Sequence, residues 1–119
     1  MAKKILIVDD DELTLRLLRS RLEAAGHKVW EAENGEAAIK QALLKEPDVI
    51  IMDIMLPDMQ GSDAVGLIQQ RTHLPEMKII FLSGIISRSD EDEQKIHVAK
   101  NFYPAVAKPI DFERLATLL

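Results

Sequence analysis

Polar side chains that can do chemistry follow four apolar runs of this sequence. Asp9 and Asp10 come after the run ILIV, Asp53 comes after VIIM, Ser83 follows FL, and Lys108 follows AVA. If these runs are parallel strands of one sheet, their carboxyl ends share one edge, where α/β sheets bind ligands. The sequence therefore predicts a single site built from three carboxylates, a hydroxyl and an amine.

This set of side chains favours magnesium-dependent phosphoryl chemistry. Carboxylates held close together repel one another, and a hard divalent cation that prefers oxygen ligands, such as Mg²⁺, relieves the repulsion. With Mg²⁺ and the Lys108 ammonium neutralising charge, a phosphoryl group can approach the Asp53 carboxylate, which acts as the nucleophile and becomes an aspartyl-phosphate. Ser83 can then donate a hydrogen bond to a phosphoryl oxygen. Catalytic roles are thus predicted for Asp53, Ser83 and Lys108.

Five short runs of apolar or β-branched residues predict the strands that carry this site. They alternate with longer segments that have helical spacing, which predicts a parallel sheet with right-handed crossovers and helices on both faces. The predicted strands are residues 5–8, 28–32, 49–52, 79–82 and 105–107. The predicted helices are residues 11–25, 36–45, 63–71, 87–101 and 112–119.

The predicted fold is a single doubly wound, five-stranded parallel sheet in the order 2-1-3-4-5, an α/β architecture of the flavodoxin-like type. In this order the third strand lies between the first and the fourth, so Asp53 is flanked by Asp9 and Asp10 on one side and by Ser83 on the other. Neighbouring strands are about 4.8 Å apart, which leaves Lys108 roughly 10 Å to span. The long stem of a lysine can cross that distance.

Length and composition exclude several classes of protein. A chain of 119 residues fits one compact domain, and its net charge of −5 is opposite in sign to that of a nucleic-acid-backbone binder. The absence of cysteine excludes disulfides and cysteine nucleophiles. The first apolar stretch is too short for a signal peptide or a membrane span, so we expect a cytoplasmic protein without membrane contact. Because the chain ends on apolar residues within a predicted helix, we expect it to be cut from a longer protein.

In order and spacing, these residues resemble the receiver domain of two-component response regulators over residues 1–119. The motifs that carry the resemblance are ILIVDDD at 5–11, DIMLPDMQG at 53–61, Ser83, and KP at 108–109. The resemblance implies that Asp53 is the phospho-acceptor and that Asp10, Asp53 and the main-chain carbonyl of Met55 ligate Mg²⁺. It also implies that Asp9 acts through a metal-bound water, that Lys108 pairs with the phosphoryl group, and that a cis peptide joins Lys108 to Pro109.

The resemblance further implies the partners. A sensor histidine kinase or a histidine phosphotransfer domain would donate the phosphoryl group, and the modified chain would change its interactions. A homodimer would form through the fourth helix, the fifth strand and the fifth helix. Such a domain is not an enzyme in the usual sense, since it catalyses only its own phosphorylation and dephosphorylation.

Two departures from the family pattern bear on these expectations. Receivers usually have Tyr or Phe three residues before the lysine, where this chain has Ala105, so the usual aromatic readout of the switch is missing. The residues two after Asp53 and two after Ser83 are Met55 and Ile85, both apolar, at positions that in the family govern the access of water. We therefore expect slow loss of the phosphoryl group.

Two alternative functions stay open on the sequence. A pseudo-receiver would bind partners without being phosphorylated, which Ala105 favours and the intact acid cluster disfavours. A phosphatase of the haloacid dehalogenase type also uses an aspartate after a strand and a second acid two residues on, as Asp9 and Asp11 offer. However, Leu13 stands where that motif has Thr or Val, and no cap domain is present.

Overall fold

A computed structural model of the chain describes residues 2–71, 77–84, 95–98 and 101–119, with the backbone alone for 95–98, 101 and 102. Its strands are β1 (Lys4–Val8), β2 (Lys28–Ala32), β3 (Val49–Asp53), β4 (Lys78–Ser83), β5 (Lys95–Val98) and β6 (Asn101–Ala107). Its helices are α1 (Glu12–Ala24), α2 (Gly35–Lys45), α3 (Gly61–Arg71) and α4 (Phe112–Leu118).

The described strands form one sheet in the order β2-β1-β3-β4-β6-β5. Neighbouring strands from β2 to β6 are parallel, which confirms the predicted five-stranded sheet, with β6 in the fifth place. Strand β5 adds to this sheet at its edge and runs antiparallel to β6. Strands β2 and β3 lie on opposite sides of β1, so the direction in which strands are added reverses between β1 and β3. Sheets of this type carry their ligand sites at that point.

Alternate residues of the central strands face two separate hydrophobic cores. In β1, Leu6 and Val8 pack in the core beneath α2 and α3, whereas Ile5 and Ile7 pack in the core beneath α1 and α4. The helices therefore cover both faces of the sheet. Because β1 and β3 are buried on both faces, their sequences are continuous apolar runs with no polar alternation.

Helix α1 shows how local sequence sets these elements. The Asp11 side chain accepts a hydrogen bond from the N–H of Leu13 and caps the first turn. The buried residues Leu15, Leu18 and Leu22 recur at spacings of three and four, which directs one stripe of the helix to the sheet. Gly26, with a φ of 94°, follows the end of the helix and turns the chain toward β2.

The predicted helix over 87–101 is wrong at the residues that the structure describes there. Lys95–Val98 is strand β5, and Asn101 begins β6. Residues 87–94, 99 and 100 lie outside the described residues. The β-branched residues Ile96 and Val98 are two positions apart, which is the period of a strand and not of a helical stripe. The predicted dimer surface included this fourth helix, and at residues 95–98 the structure has a strand in its place.

Among the helices in the described ranges, none combines the length and the apolar character that crossing a bilayer requires.

Candidate functional site

The parallel sheet brings the predicted site residues to one edge. Asp53 and Ser83 are the last residues of the neighbouring strands β3 and β4. Asp9 and Asp10 follow β1 on the other side of β3, and Lys108 follows β6 beyond β4. This is the arrangement that the strand order predicts.

Three of these residues form what we call the acidic cluster: Asp9, Asp10 and Asp53. One carboxylate oxygen of each lies within 4.8 Å of the other two. Asp9 is fully buried and Asp53 is 8% exposed, whereas Asp10 is exposed at the rim. Buried carboxylates at this separation repel one another and require a compensating positive charge.

Lys108 supplies a positive charge to the two buried acids. Its Nζ lies 2.6 Å from Oδ2 of Asp9 and 3.2 Å from Oδ2 of Asp53. The lysine stem thus crosses β4, as the sequence predicts. The backbone N–H of Lys108 donates to the carbonyl of Ser83 at 2.8 Å, and the Lys108–Pro109 peptide is cis, as the family resemblance implies.

The ionisation of Asp53 and Lys108 follows from these contacts. Burial and then the negative charge of Asp9 raise the pKa of Asp53, against the opposing effects of Lys108 and of a hydrogen bond from Met55. Burial by itself lowers the pKa of Lys108, but the hydrogen bond and charge of Asp9, followed by those of Asp53, outweigh it and raise that pKa. Lys108 is therefore an ammonium at neutral pH, and added positive charge near Asp53 favours the Asp53 carboxylate.

The second oxygen of Asp9 is also engaged. Its Oδ1 accepts a hydrogen bond of 2.9 Å from the backbone N–H of Asp11. Asp11 itself turns away from the acidic cluster, because its carboxylate accepts hydrogen bonds from the Thr14 hydroxyl at 2.8 Å and from the Leu13 N–H at 3.2 Å. The Thr14 bond, and then the Leu13 bond, lower the pKa of Asp11. Asp11 is the cap of α1, which removes the second acid that a haloacid dehalogenase-type phosphatase needs.

The segment 54–60, between Asp53 and α3, folds back on itself. The Leu56 N–H donates to the Met59 carbonyl at 3.1 Å, and the Gly61 N–H donates to the Ile54 carbonyl at 2.7 Å. These two bonds flank an isolated antiparallel bridge in the middle of the segment. The chain that follows Asp53 is therefore held in one compact turn.

Met55 occupies the centre of that turn, opposite Gln60 in the bridge. In a bridge flanked in this way, the N–H and C=O of Met55 point away from Gln60. The Met55 N–H lies 3.3 Å from Oδ1 of Asp53, to which it donates. Since the N–H and C=O of an extended residue point to the same side, the Met55 carbonyl is directed to the side of the acidic cluster.

Gly61 packs directly against the backbone that carries Asp53. A Cβ at this position would lie 2.1 Å from the carbonyl oxygen of Asp53 and 2.9 Å from Cγ of Met52. Any side chain would push apart the end of β3 and the start of α3. Gly61 belongs to the 53–61 motif, but the sequence alone does not predict this role, since the close approach depends on tertiary packing.

Asp58 is a second residue of the motif whose contacts the sequence did not predict. Its Oδ1 accepts a hydrogen bond of 2.7 Å from the Gly35 N–H, and its Oδ2 accepts one of 3.0 Å from the Glu36 N–H. These bonds, in that order, lower the pKa of Asp58. Asp58 thereby joins the segment 54–60 to the first turn of α2, which lies more than twenty residues earlier in the chain.

The acidic cluster has the donor set of a site for a hard divalent cation. Carboxylate oxygens of three residues lie close together, and a main-chain carbonyl is directed to the same side. Oxygen-rich sites of this kind suit Mg²⁺, which commonly takes one or two carboxylates and keeps waters for the other positions. The residues present therefore fit the predicted ion.

We expect Gly61→Ala to destabilise the chain by about 1–3 kcal/mol, the usual cost of overpacking. Gly84→Ala is the matched control, because a Cβ at Gly84 would meet no atom within 4 Å. Urea unfolding of both variants measures the difference. Equal stability of the two variants would contradict the close packing of Gly61 on Asp53.

We expect Asp53→Asn to stabilise the metal-free chain at neutral pH. The pKa of Asp53 is raised in the folded state, so the folded chain binds the proton more tightly than the unfolded chain and loses stability as pH rises through that pKa. The neutral amide of the variant has no such proton to lose. Urea unfolding in EDTA between about pH 4 and pH 8 should show an advantage of the variant that grows with pH. If the stability advantage of the variant shrinks as pH rises, the raised pKa of Asp53 is contradicted.

Comparison with known proteins supports one family. Residues 5–119 match the model of the response regulator receiver domain. The transcriptional regulatory protein PhoP of Bacillus subtilis, named for alkaline phosphatase synthesis, is 36% identical over 96 residues, which cover 81% of this chain and 38% of PhoP. The polar-differentiation response regulator DivK of Brucella anthropi is 29% identical over 114 residues, which cover 96% of this chain and 90% of DivK.

Solved structures agree with this assignment. The chemotaxis response regulator CheY4 of Vibrio cholerae superposes with a TM-score of 0.83 at 25% identity, and the match covers 100% of both chains. A two-component response regulator from Clostridium difficile superposes with a TM-score of 0.79 at 25% identity, covering 96% of this chain and 89% of the other. The fold, the strand-end residues and the match over 5–119 lead to one conclusion: this chain belongs to the response regulator receiver domain family.

Proposed function

We propose that this receiver domain accepts a phosphoryl group on Asp53 in a magnesium-dependent reaction and thereby switches its interactions with a partner. The observation that carries the proposal is the position of the Asp53 carboxylate, which lies beside the other two acids of the cluster and 3.2 Å from the Lys108 ammonium that it shares with Asp9. Asp53 can thus share a divalent cation with the other acids while it also lies next to the positive charge of Lys108. A phosphoryl group, with its negative oxygens, fits between two such charges.

The metal ligands in this proposal are Asp10, Asp53 and the Met55 carbonyl, with Asp9 acting through a bound water. Both oxygens of Asp9 already accept hydrogen bonds, from Lys108 and from the Asp11 N–H, which favours an indirect role. Asp10 is exposed and can turn toward the ion. When bound, Mg²⁺ supplies positive charge that stabilises the phosphoryl oxygens in the transition state.

In the transfer, one Asp53 carboxylate oxygen forms a bond to phosphorus while the bond between phosphorus and the donor's imidazole nitrogen breaks. The electron pair of the broken bond stays on that nitrogen. Lys108 then pairs with a phosphoryl oxygen, for which its ammonium must leave the Asp53 oxygen 3.2 Å away. Ser83, buried at the end of the neighbouring strand, donates its hydroxyl hydrogen to another phosphoryl oxygen.

The switch follows from the change in charge. A phosphoryl group adds about −1.5 to −2 charges at neutral pH, which is enough to redirect Lys108 and Ser83 and to move the backbone next to them. Lys108 already connects β6 to β4 through its N–H bond to the Ser83 carbonyl. With Ala105 in place of the family's aromatic residue, the change has to reach the surface by another route than a rotating ring.

In the proposal this chain acts in the cytoplasm, and its partner is a sensor histidine kinase or a histidine phosphotransfer domain. The only reactions that the chain catalyses in this proposal are its own phosphorylation and dephosphorylation. The net charge of −5 disfavours direct binding of nucleic acid by this domain. This chain spans 38% of the length of PhoP, so what PhoP regulates does not carry over to it.

We expect incubation with MgCl₂ and a small phosphodonor such as acetyl phosphate to add one phosphoryl group to the chain. Intact mass spectrometry measures the added mass, and EDTA should abolish it. Asp53→Asn should remove the modification, because it removes the nucleophile, while Asp63→Asn, which alters an exposed acid of α3, should leave it intact. A chain that stays unmodified but still binds its partner would support a pseudo-receiver instead.

We expect the phosphorylated chain to lose its phosphoryl group slowly, and Met55→Ala to lose it several times faster. Met55, whose N–H is bonded to Asp53, is 68% exposed, so its side chain is available to limit the approach of water and can be shortened at little cost to stability. Ile85, the second apolar residue on which this expectation rests, lies outside the described residues. Intact mass followed over time after removal of the donor tests it, and equal rates for both proteins would contradict it.

A further inference from the structure

The carboxylate of Asp58 is an exposed group that nonetheless makes two short hydrogen bonds to the backbone of a distant element. It accepts from the first two N–H groups of α2, those of Gly35 and Glu36. Asn34 accepts from the next one, the N–H of Ala37, at 2.8 Å. The first turn of α2 is therefore capped jointly by its own Asn34 and by a residue of the segment 54–60.

The contact between this segment and α2 is close as well as polar. A Cβ at Gly35 would lie 2.4 Å from Cγ of Met59, the residue after Asp58. The missing side chain of Gly35 thus lets the segment lie directly on the start of the helix. Asp58 and Met59 together attach one end of the turn to α2.

Both sides of this attachment lead to the acidic cluster. On one side, Met55 lies three residues before Asp58 in the same turn, and its N–H is bonded to Asp53. On the other side, a short link joins α2 to the end of β2, whose last residue, Ala32, accepts a hydrogen bond of 3.1 Å from the N–H of Asp9. The hydrogen bonds of Asp58 therefore connect the chain segments that bond to Asp53 and to Asp9.

We propose that Asp58 is a positioning residue for the metal site: by holding the segment 54–60 on the first turn of α2, it fixes the Met55 carbonyl beside the carboxylates of Asp10 and Asp53. This inference rests on the proposed function, which assigns the ion to that cluster. Asp58 does not contact the ion. Its effect is to reduce the number of positions that the Met55 carbonyl adopts before the ion binds, and outer groups of this kind set metal affinity by holding the ligands in place.

The test compares Asp58→Ala with Asp48→Ala in the 119-residue chain. Asp48 is a matched control, since its exposed carboxylate also accepts a backbone hydrogen bond from a distant segment, the Lys4 N–H at 2.8 Å. It lies at the amino ends of the strands, opposite the acidic cluster. Each substitution removes one charge; Asp58→Ala also removes two such hydrogen bonds, and Asp48→Ala removes one. The dissociation constant for Mg²⁺ is obtained from the rise of Tm with MgCl₂ concentration.

We expect Asp58→Ala to raise the Kd for Mg²⁺ by about 10- to 100-fold, the range typical of groups that hold a metal ligand. Asp48→Ala should lower Tm in the absence of metal and leave the Kd unchanged. Asp58→Asn keeps one acceptor oxygen, so its Kd should fall between those of the wild type and Asp58→Ala. If circular dichroism shows that Asp58→Ala is unfolded, the Kd of Asp58→Asn is compared with that of Asp48→Ala instead.

Two results would overturn the inference. One is a Kd in the Asp58 variants equal to that of Asp48→Ala. The other is a loss of Mg²⁺ affinity that is equal in Asp58→Ala and Asp58→Asn and that disappears when KCl is raised from about 0.1 to 0.5 M. Salt screens an effect of charge but leaves an effect of geometry in place. If the Tm of the wild type itself does not rise with MgCl₂, the proposed metal site fails and this inference fails with it. If the Tm of the wild type and that of Asp58→Ala rise equally with MgCl₂, the proposed function stands and only the positioning role of Asp58 is refuted.

Discussion

Two buried carboxylates, those of Asp9 and Asp53, share one ammonium group at the carboxyl edge of the sheet. Burying two like charges lowers the stability of the fold, and removing the ammonium that pairs with them would lower it further. The cost is tolerated because the two cores on either side of the sheet hold the strands in place. Each large apolar side chain buried there contributes about 1.5–3 kcal/mol relative to exposure. The stability of the core is thus what keeps the two buried acids together.

The position of Asp53 is fixed from two directions. Within the sheet, the pairing of β3 with β1 and β4 sets its distance from Asp9 and from Ser83. Beyond the end of the strand, the turn 54–60 holds its backbone, through the close packing of Gly61 on one side and the bonds from Asp58 to α2 on the other. A site that depends on the exact separation of charges needs both restraints, since an error of an ångström changes the electrostatic energy of groups this close.

Local sequence was sufficient to predict the central part of the fold. The runs at β1, β3 and β4 are continuous and apolar because both of their faces are covered, and α1 has a clear stripe of leucines between a cap and a glycine. The segment 95–98 was wrongly predicted as helix because β5 has only four residues, so the strand spacing of Ile96 and Val98 covers a single repeat. The start of β6 was missed for a related reason: Pro104 and the residues before it lack the apolar run of a central strand.

For the site, the sequence by itself determined which residue types stand at the ends of the strands, and the parallel topology made their convergence a prediction. It contained no information on how Gly61 and Asp58 act, since a glycine and an aspartate in a turn have many ordinary uses. Their roles depend on atoms that are distant in the chain: the Asp53 carbonyl against which Gly61 packs, and the α2 N–H groups to which Asp58 is bonded. Strand periodicity is a property of neighbouring residues and can be read along the chain, whereas a contact between separate segments exists only once the helices have packed on the sheet.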